Sequence, residues 1–140
     1  MRVTGVPAQM ETRFMSVTFH MKEIDGVSVV ELKGRIVLGE ESGKLREAIK
    51  NLVLSGKKSI VLDMSRVTYI DSAGLGILVA AHVSAKTQGA SISLCALGQM
   101  FREVLQLTKL VTIFDVHETC AEAVQSLIQK TASKAAAGIP

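Results

Sequence analysis

The stretch YIDSAGLGILVAA, residues 69–81, decides how this chain is interpreted. A carboxylate, a hydroxyl and two glycines, at Asp71, Ser72, Gly74 and Gly76, separate an apolar run from an apolar helical pattern. In the simplest interpretation, Asp71 or Ser72 caps the helix by accepting a hydrogen bond from a first-turn amide. The two glycines then relieve crowding where the helix passes the sheet. A functional interpretation needs support from the rest of the chain.

Hydrophobic periodicity predicts strands and helices on both sides of this junction. Two apolar runs around Asp25-Gly26 predict a β-hairpin. Apolar residues three and four apart predict a helix from about Leu45 to near Gly56, and the continuous apolar run at 59–64 predicts a strand covered on both faces. The remaining predicted elements are a helix to about Lys86, a strand at 92–96, a helix at 100–108, a short strand at 112–116 and a last helix from about 121, capped by Glu118 or Thr119.

The order β-β-α-β-α-β-α-β-α predicts an α/β fold, a mixed β-sheet with an N-terminal hairpin and about four helices packed on it. Residues 1–14 have no clear period and are predicted to be a flexible lead-in, followed by one domain over 15–130. Residues 131–140 are simple in composition and are predicted to be a disordered tail. Ligand and partner sites in such folds lie at the carboxyl ends of strands, which makes residues 71–76 the candidate site.

The composition indicates one globular domain, with 140 residues, 48% of them hydrophobic, and a net charge of +3. Scattered basic residues and scarce aromatic residues argue against direct nucleic-acid binding. No apolar run reaches the roughly 18 residues of a spanning helix, and the N-terminus lacks a signal-peptide core. A cytoplasmic protein without membrane contact is therefore predicted. Cys95 and Cys120 lie in apolar periodic segments, which predicts small buried side chains in a reducing compartment and not a disulfide framework.

Several catalytic motifs are excluded by single residues. Val79 stands where a dinucleotide fingerprint needs its third glycine, and Ile70 stands where a nucleophile elbow around Ser72 needs a glycine. Asp63 and Asp71 have no accompanying nucleophile or cofactor loop for acid–base chemistry. The histidines lie in separate elements without metal-ligand spacing: His20, His82 and His117. The sequence predicts no enzymatic activity, no cofactor and no metal.

The stretch LDMSRVTYIDSAGLGILVAA, residues 62–81, resembles the signature of STAS domains, in particular bacterial anti-sigma-factor antagonists. The resemblance covers roughly residues 16–129, including the hairpin, ELKGRI at 31–36 and GQMFREVLQLTKLVTIFDV at 98–116. It implies that Ser72 is phosphorylated by a cognate anti-sigma factor that is a serine kinase, while Asp71 orders the loop. The unphosphorylated protein is then expected to bind that kinase and so release a sigma factor.

The resemblance also implies a partner-binding surface at the junction and the nearby end of the second strand. Leu75 is expected to be a surface residue there, outside the core. The family often has an aspartate at the position of Val37 and an acidic residue at that of Arg35. Val37 favours the alternative, a STAS scaffold or small-ligand sensor that is never phosphorylated. The expected partner-binding residues are Asp71, Ser72, Ala73, Gly74, Leu75, Gly76, Arg35 and Val37.

Overall fold

The computed structural model describes residues 17–37, 39–109 and 112–137. The elements follow the predicted order, which confirms the α/β class. They are β1 (Val17–Ile24), β2 (Val27–Ile36), α1 (Glu40–Leu54), β3 (Ser59–Ile70), α2 (Ser72–Thr87), β4 (Ser91–Cys95), α3 (Gln99–Leu107), β5 (Asp115–His117) and α4 (Cys120–Ala137). The predicted lead-in at 1–14 lies outside the described residues.

The five strands form one mixed sheet in the order β1-β2-β3-β4-β5. β1 pairs antiparallel with β2, and β2 to β5 run parallel. Asp25 and Gly26 have φ angles of 49° and 84°, the left-handed conformation at both central positions that a tight hairpin turn requires. The predicted hairpin is confirmed. Because β2 to β5 are parallel, the loops that lead into all four helices lie at one edge of the sheet.

The core has two layers, one on each face of the sheet. Helices α1, α2 and α3 pack on one face, and α4 packs on the other with a smaller cluster. The central strand β3 contributes to both, since Leu62 belongs to the first cluster and Val61 to the second. Only 1% of the surface of Leu62 is exposed. These positions confirm that residues 59–64 are covered on both faces.

Strand β3 is longer than its apolar run predicts, since it continues to Ile70. Its second half is mostly exposed, but its backbone pairs with the end of β2 as far as Ile36 and Ile70. The apolar pattern does not detect this part, because only Val67 and Ile70 of it pack against the core, and the rest is held by backbone pairing. The extension places the end of β2 beside residue 71.

Two other boundaries also differ from the prediction. The strand predicted at 112–116 occupies Asp115–His117, and Thr112 instead ends a turn that starts at Lys109, since its Oγ1 donates to Lys109 O over 2.8 Å. A short apolar run does not by itself distinguish a strand from such a turn. Helix α4 continues through Ala137, into the segment predicted as a tail, and residues 138–140 lie outside the described residues. Thr119 Oγ1 accepts the Glu122 N–H at 3.1 Å, so Thr119 is the cap.

The prediction that the cysteines are separate buried side chains was wrong, because Cys95 and Cys120 form a disulfide. Cys95 ends β4 and Cys120 begins α4, and their Cα atoms are 5.0 Å apart. The two residues are 25 positions apart in the chain. Their proximity results from the way α4 returns over the end of β4, which local patterns do not reveal.

Candidate functional site

Helix α2 begins with a side-chain cap. Asp71 has extended backbone angles, and its Oδ1 accepts the Gly74 N–H at 2.7 Å. Its carbonyl oxygen accepts the Leu75 N–H at 2.9 Å. Of the two predicted cap residues, the structure therefore selects Asp71. The Asp71 carboxylate is therefore bonded to the first turn of its own helix.

The start of α2 lies directly against the end of β2. The Asp71 N–H donates to Ile36 O over 3.3 Å. A Cβ at Gly74 would lie 2.7 Å from the carbonyl carbon of Ile36 and would overlap its oxygen. Only glycine allows this close approach, which confirms the crowding interpretation at Gly74. The same interpretation was wrong for Gly76, which is exposed and has open space at its Cβ position.

The side chains of this first turn differ in their exposure. Ser72, the first residue of α2, is exposed, whereas Ala73 is partly buried. Leu75 is partly buried and packs against the larger core cluster. Leu75 is thus not one of the buried core residues, as expected, but it is not a free surface residue either, because its side chain rests on them. Ser72 and Gly76 are the exposed members of this turn.

The end of β2 forms the other side of the site. Arg35 pairs in register with Tyr69, and its Cζ lies 5.3 Å from the centre of the Tyr69 ring, within the range of a cation–π contact. Val37 follows Ile36 and is partly buried. The structure thus brings Arg35 and Val37 close to the junction. Tyr69 was missed in the sequence, since only the register between β2 and β3 reveals its partner.

An apolar groove, also not evident from the sequence, opens between the second half of β3 and the start of α3. Met100 is 70% exposed at its rim, and Ile70, in its wall, directly precedes the cap residue. The wall of the groove thus ends just before Asp71 and Ser72 in the chain. The groove is lined by Met64, Val67, Thr68, Tyr69, Ile70, Gly98, Gln99, Met100, Phe101 and Val104.

Comparison with known families agrees with this geometry. The family model described as STAS domain matches residues 18–123. The chain belongs to the STAS domain family. A curated relative from Bordetella bronchiseptica, named "Putative anti-sigma factor antagonist BtrV", is 30% identical over 96 residues, which cover 69% of this chain and 82% of the relative. The resemblance stated from the signature at residues 62–81 is confirmed.

Solved structures show the same STAS fold. The crystal structure of an anti-sigma factor antagonist from Mycobacterium paratuberculosis is 28% identical, with a TM-score of 0.69, covering 79% of this chain and 93% of the other. The phosphorylated form of SpoIIAA from Bacillus is 19% identical, with a TM-score of 0.64, covering 79% of this chain and 99% of SpoIIAA. At that identity SpoIIAA shows the fold alone, a mixed sheet with helices on both faces.

Proposed function

We propose that this STAS protein is an anti-sigma-factor antagonist and that Ser72 is its phosphorylation switch. In the unphosphorylated form it binds a cognate anti-sigma factor, a serine kinase, and so releases a sigma factor. The observation that carries the proposal is the exposed Ser72 at the first position of α2, directly after a carboxylate engaged with its own helix. SpoIIAA, which has the same fold, is known in phosphorylated and unphosphorylated forms, which supports a switch compatible with this architecture.

The free domain is expected to tolerate a phosphate on Ser72. Phosphorylation adds about 1.5 to 2 negative charges at pH 7. The positive end of the α2 dipole and its first-turn amides offset on the order of 1 kcal/mol of this. The neighbouring Asp71 carboxylate adds repulsion of similar size. Because these effects nearly cancel, the modified domain keeps its fold.

In a complex the same phosphate is costly. A partner that packs on Ser72, Gly76 and the apolar groove removes water from this end of α2. A desolvated phosphate costs several kcal/mol unless a cation of the partner meets it. A penalty of about 3 kcal/mol weakens binding more than a hundredfold. Phosphorylation thus switches binding off without a large change of shape.

The proposed role is regulatory, not catalytic, and its place is the bacterial cytoplasm, where sigma factors act. Asp71 is occupied as a cap and Ser72 has no adjacent base in the sequence motif, so Ser72 is a substrate of the kinase and not a nucleophile. None of the helices in the described ranges is long and apolar enough to cross a membrane.

The proposal is tested with a kinase captured from the source organism on tagged Ser72→Ala protein. The purified kinase and ATP should phosphorylate the wild-type chain at Ser72, as measured by mass spectrometry of its peptides. Ser72→Ala should bind the kinase as tightly as the unmodified wild type, and Ser72→Asp at least tenfold more weakly, by calorimetry. Ser84→Asp is the matched control, since Ser84 is exposed on the same helix about three turns later, and it should bind normally.

Two results would contradict this switch. One is a wild-type chain that stays unmodified after incubation with the captured kinase. The other is Ser72→Asp binding as tightly as Ser72→Ala while both variants melt near the wild-type temperature. Either result would favour the alternative function, a STAS scaffold or small-ligand sensor without phosphorylation. The observation that favours this alternative is the partly buried, uncharged Val37 beside the site.

A further inference from the structure

Three potential metal ligands meet on the sheet face that α4 covers. Asp63 and Cys95 are paired in register on the parallel strands β3 and β4, so their side chains point to the same face. Cys120 begins α4 above them. One ligand atom from each of these residues, a carboxylate oxygen or an Sγ, lies within 4.8 Å of the other two. The cluster combines three distant segments, which is why the sequence shows no metal-ligand spacing.

We propose that Asp63, Cys95 and Cys120 bind one Zn²⁺ ion when the disulfide is reduced. A dithiol reductant supplies two electrons and two protons, the S–S bond becomes two thiols, and the dithiol becomes a disulfide. Zn²⁺ then displaces the two thiol protons, which go to solvent. Two thiolates and one carboxylate are typical zinc ligands, with Zn–S of about 2.3 Å and Zn–O of about 2.0–2.2 Å.

The surroundings of the cluster favour a cation. Cys120 lies at the N-terminus of an 18-residue helix, where the helix dipole stabilises a thiolate. Cys95 is fully buried, whereas Asp63 and Cys120 are partly exposed. A metal ion therefore reaches the cluster from the side of these two residues. Zn²⁺ would neutralise the negative charge that two thiolates and a carboxylate bring together.

The carboxylate is already oriented by the backbone. Asp63 Oδ1 accepts the Ser65 N–H at 3.0 Å. A hydrogen bond from a neighbouring residue of this kind fixes the direction of a metal ligand and tunes its basicity. In the disulfide form neither sulfur is a thiolate, so the same three residues do not form a zinc site. Metal binding is therefore controlled by the redox state of the pair.

A second polar cluster on the same face provides the control. His117 is paired in register with Cys95, but its Nε2 lies 3.3 Å from Asp115 Oδ1. Asp115 Oδ2 also accepts a hydrogen bond from Ser93 and lies 3.4 Å from Lys130 Nζ. Burial alone would raise the pKa of Asp115, but Lys130 and His117 outweigh it and lower that pKa. Asp115 is thus an occupied carboxylate one strand away from the proposed site.

The test uses the full chain and Co²⁺ as a spectroscopic probe for the zinc site. After treatment with a dithiol and its removal without oxygen, two thiols should titrate per chain. The reduced protein should bind one Co²⁺ with thiolate charge-transfer and tetrahedral absorption bands, and Zn²⁺ should displace it. The oxidised protein should bind none. Asp115→Asn, the matched control, should bind like the wild type.

The ligand variants separate this site from adventitious binding. Cys120→Ser should abolish the charge-transfer band of a two-thiolate site, and Asp63→Asn should weaken Co²⁺ binding at least tenfold while both thiols still titrate. The proposal is overturned if the dithiol does not release two thiols, if the reduced chain binds no Co²⁺ or Zn²⁺, or if Asp63→Asn binds as tightly as the wild type. These readouts do not depend on the proposed partner switch, so the two proposals fail separately.

Discussion

Helices α2 and α4 begin in the same way on opposite faces of the sheet. Each follows the carboxyl end of a parallel strand, and each is capped by a side-chain oxygen that accepts an amide three residues later. The distances are 2.7 Å for Asp71 and 3.1 Å for Thr119. Each then places a side chain that can be modified, Ser72 or Cys120, at its first position. The backbone arrangement is shared, so it does not by itself determine the chemistry.

The two helix starts differ in the contacts that hold them in place. At α2 the chain is held by a close backbone approach of Gly74 to Ile36, and Ser72 remains exposed. At α4 the first side chain is held instead, because Cys120 is bonded to Cys95 in the strand below. A hydroxyl that faces solvent is available to another protein, whereas a sulfur that faces a strand reacts first within its own chain.

The largest effect is expected in β3, the strand that supports both helix starts. Leu62→Asp places an unpaired carboxylate at a side chain that is 1% exposed. This costs several kcal/mol, a large part of the roughly 5–15 kcal/mol that stabilises a domain, so we expect no cooperative thermal transition by circular dichroism. Ser65→Asp, on the exposed part of the same strand, should stay within about 0.5 kcal/mol of the wild type. A folded Leu62→Asp variant with normal melting would contradict the two-layer core.

Reduction of the disulfide should lower the free energy of unfolding, because the bond ties the start of α4 to β4. The disulfide joins residues 25 positions apart, and opening a closed loop of that length lowers the free energy of unfolding by about 3.5 kcal/mol. We expect the urea midpoint of the wild type to fall when a dithiol is added without divalent metal. Cys120→Ser should have a low midpoint that the dithiol does not change. Equal wild-type midpoints, with both thiols shown to be free, would mean that the disulfide does not stabilise the fold.

The two glycines of α2 should respond differently to the same substitution. Gly74→Ala forces a methyl group against the Ile36 carbonyl and should lower the free energy of unfolding by about 1–3 kcal/mol. Gly76→Ala meets open space and should be neutral or raise it by up to about 1 kcal/mol, because alanine is the better helix former. Urea denaturation at a single pH measures both. Similar losses in the two variants would show that helix α2 does not rest on β2 as described.

Local signals in the sequence were sufficient for much of the fold and for part of the site. Asp25-Gly26 specifies its turn through backbone conformation, and the apolar run at 59–64 indicates a strand buried on both sides. The cap at Asp71 follows from the same kind of short-range chemistry. Each of these features depends on residues within a few positions of one another. A structural feature is predicted correctly from the sequence where neighbouring residues alone cause it.

Features that arise from contacts between distant segments could not be predicted. The second half of β3 is a strand because its backbone pairs with β2. The contact between Arg35 and Tyr69 follows from the register of this pairing. Leu75 is partly buried because the first turn of α2 packs against the larger core cluster. The pairing of Cys95 with Cys120 depends on the return of α4. A single sequence contains these residues but not the topology that brings them together.

The weakest of these effects concerns the contact that joins α2 to the residue just before β5. The ring of His82, on α2, packs edge-on against Phe114 at 5.4 Å between centroids. Its Nδ1 is buried without a hydrogen-bond partner among the described residues. Burial, and to a smaller extent the nearby Lys86, lowers the pKa of His82 below its ordinary value of 6.5. The neutral ring is therefore the form that suits the folded chain.

The sign of the pH dependence follows from this pKa. Below about pH 6.5 the unfolded chain binds the proton more readily than the folded one, so the stabilising contribution is complete above that pH and is lost as the pH falls towards the folded-state pKa. Because the ring is only partly buried, the wild-type urea midpoint should fall slightly between pH 7.5 and 5.5. His82→Phe should reduce this fall, whereas His20→Gln, at an exposed histidine of β1, should retain it. An unchanged slope in His82→Phe would assign the pH dependence to other groups and leave the contact with Phe114 purely one of packing.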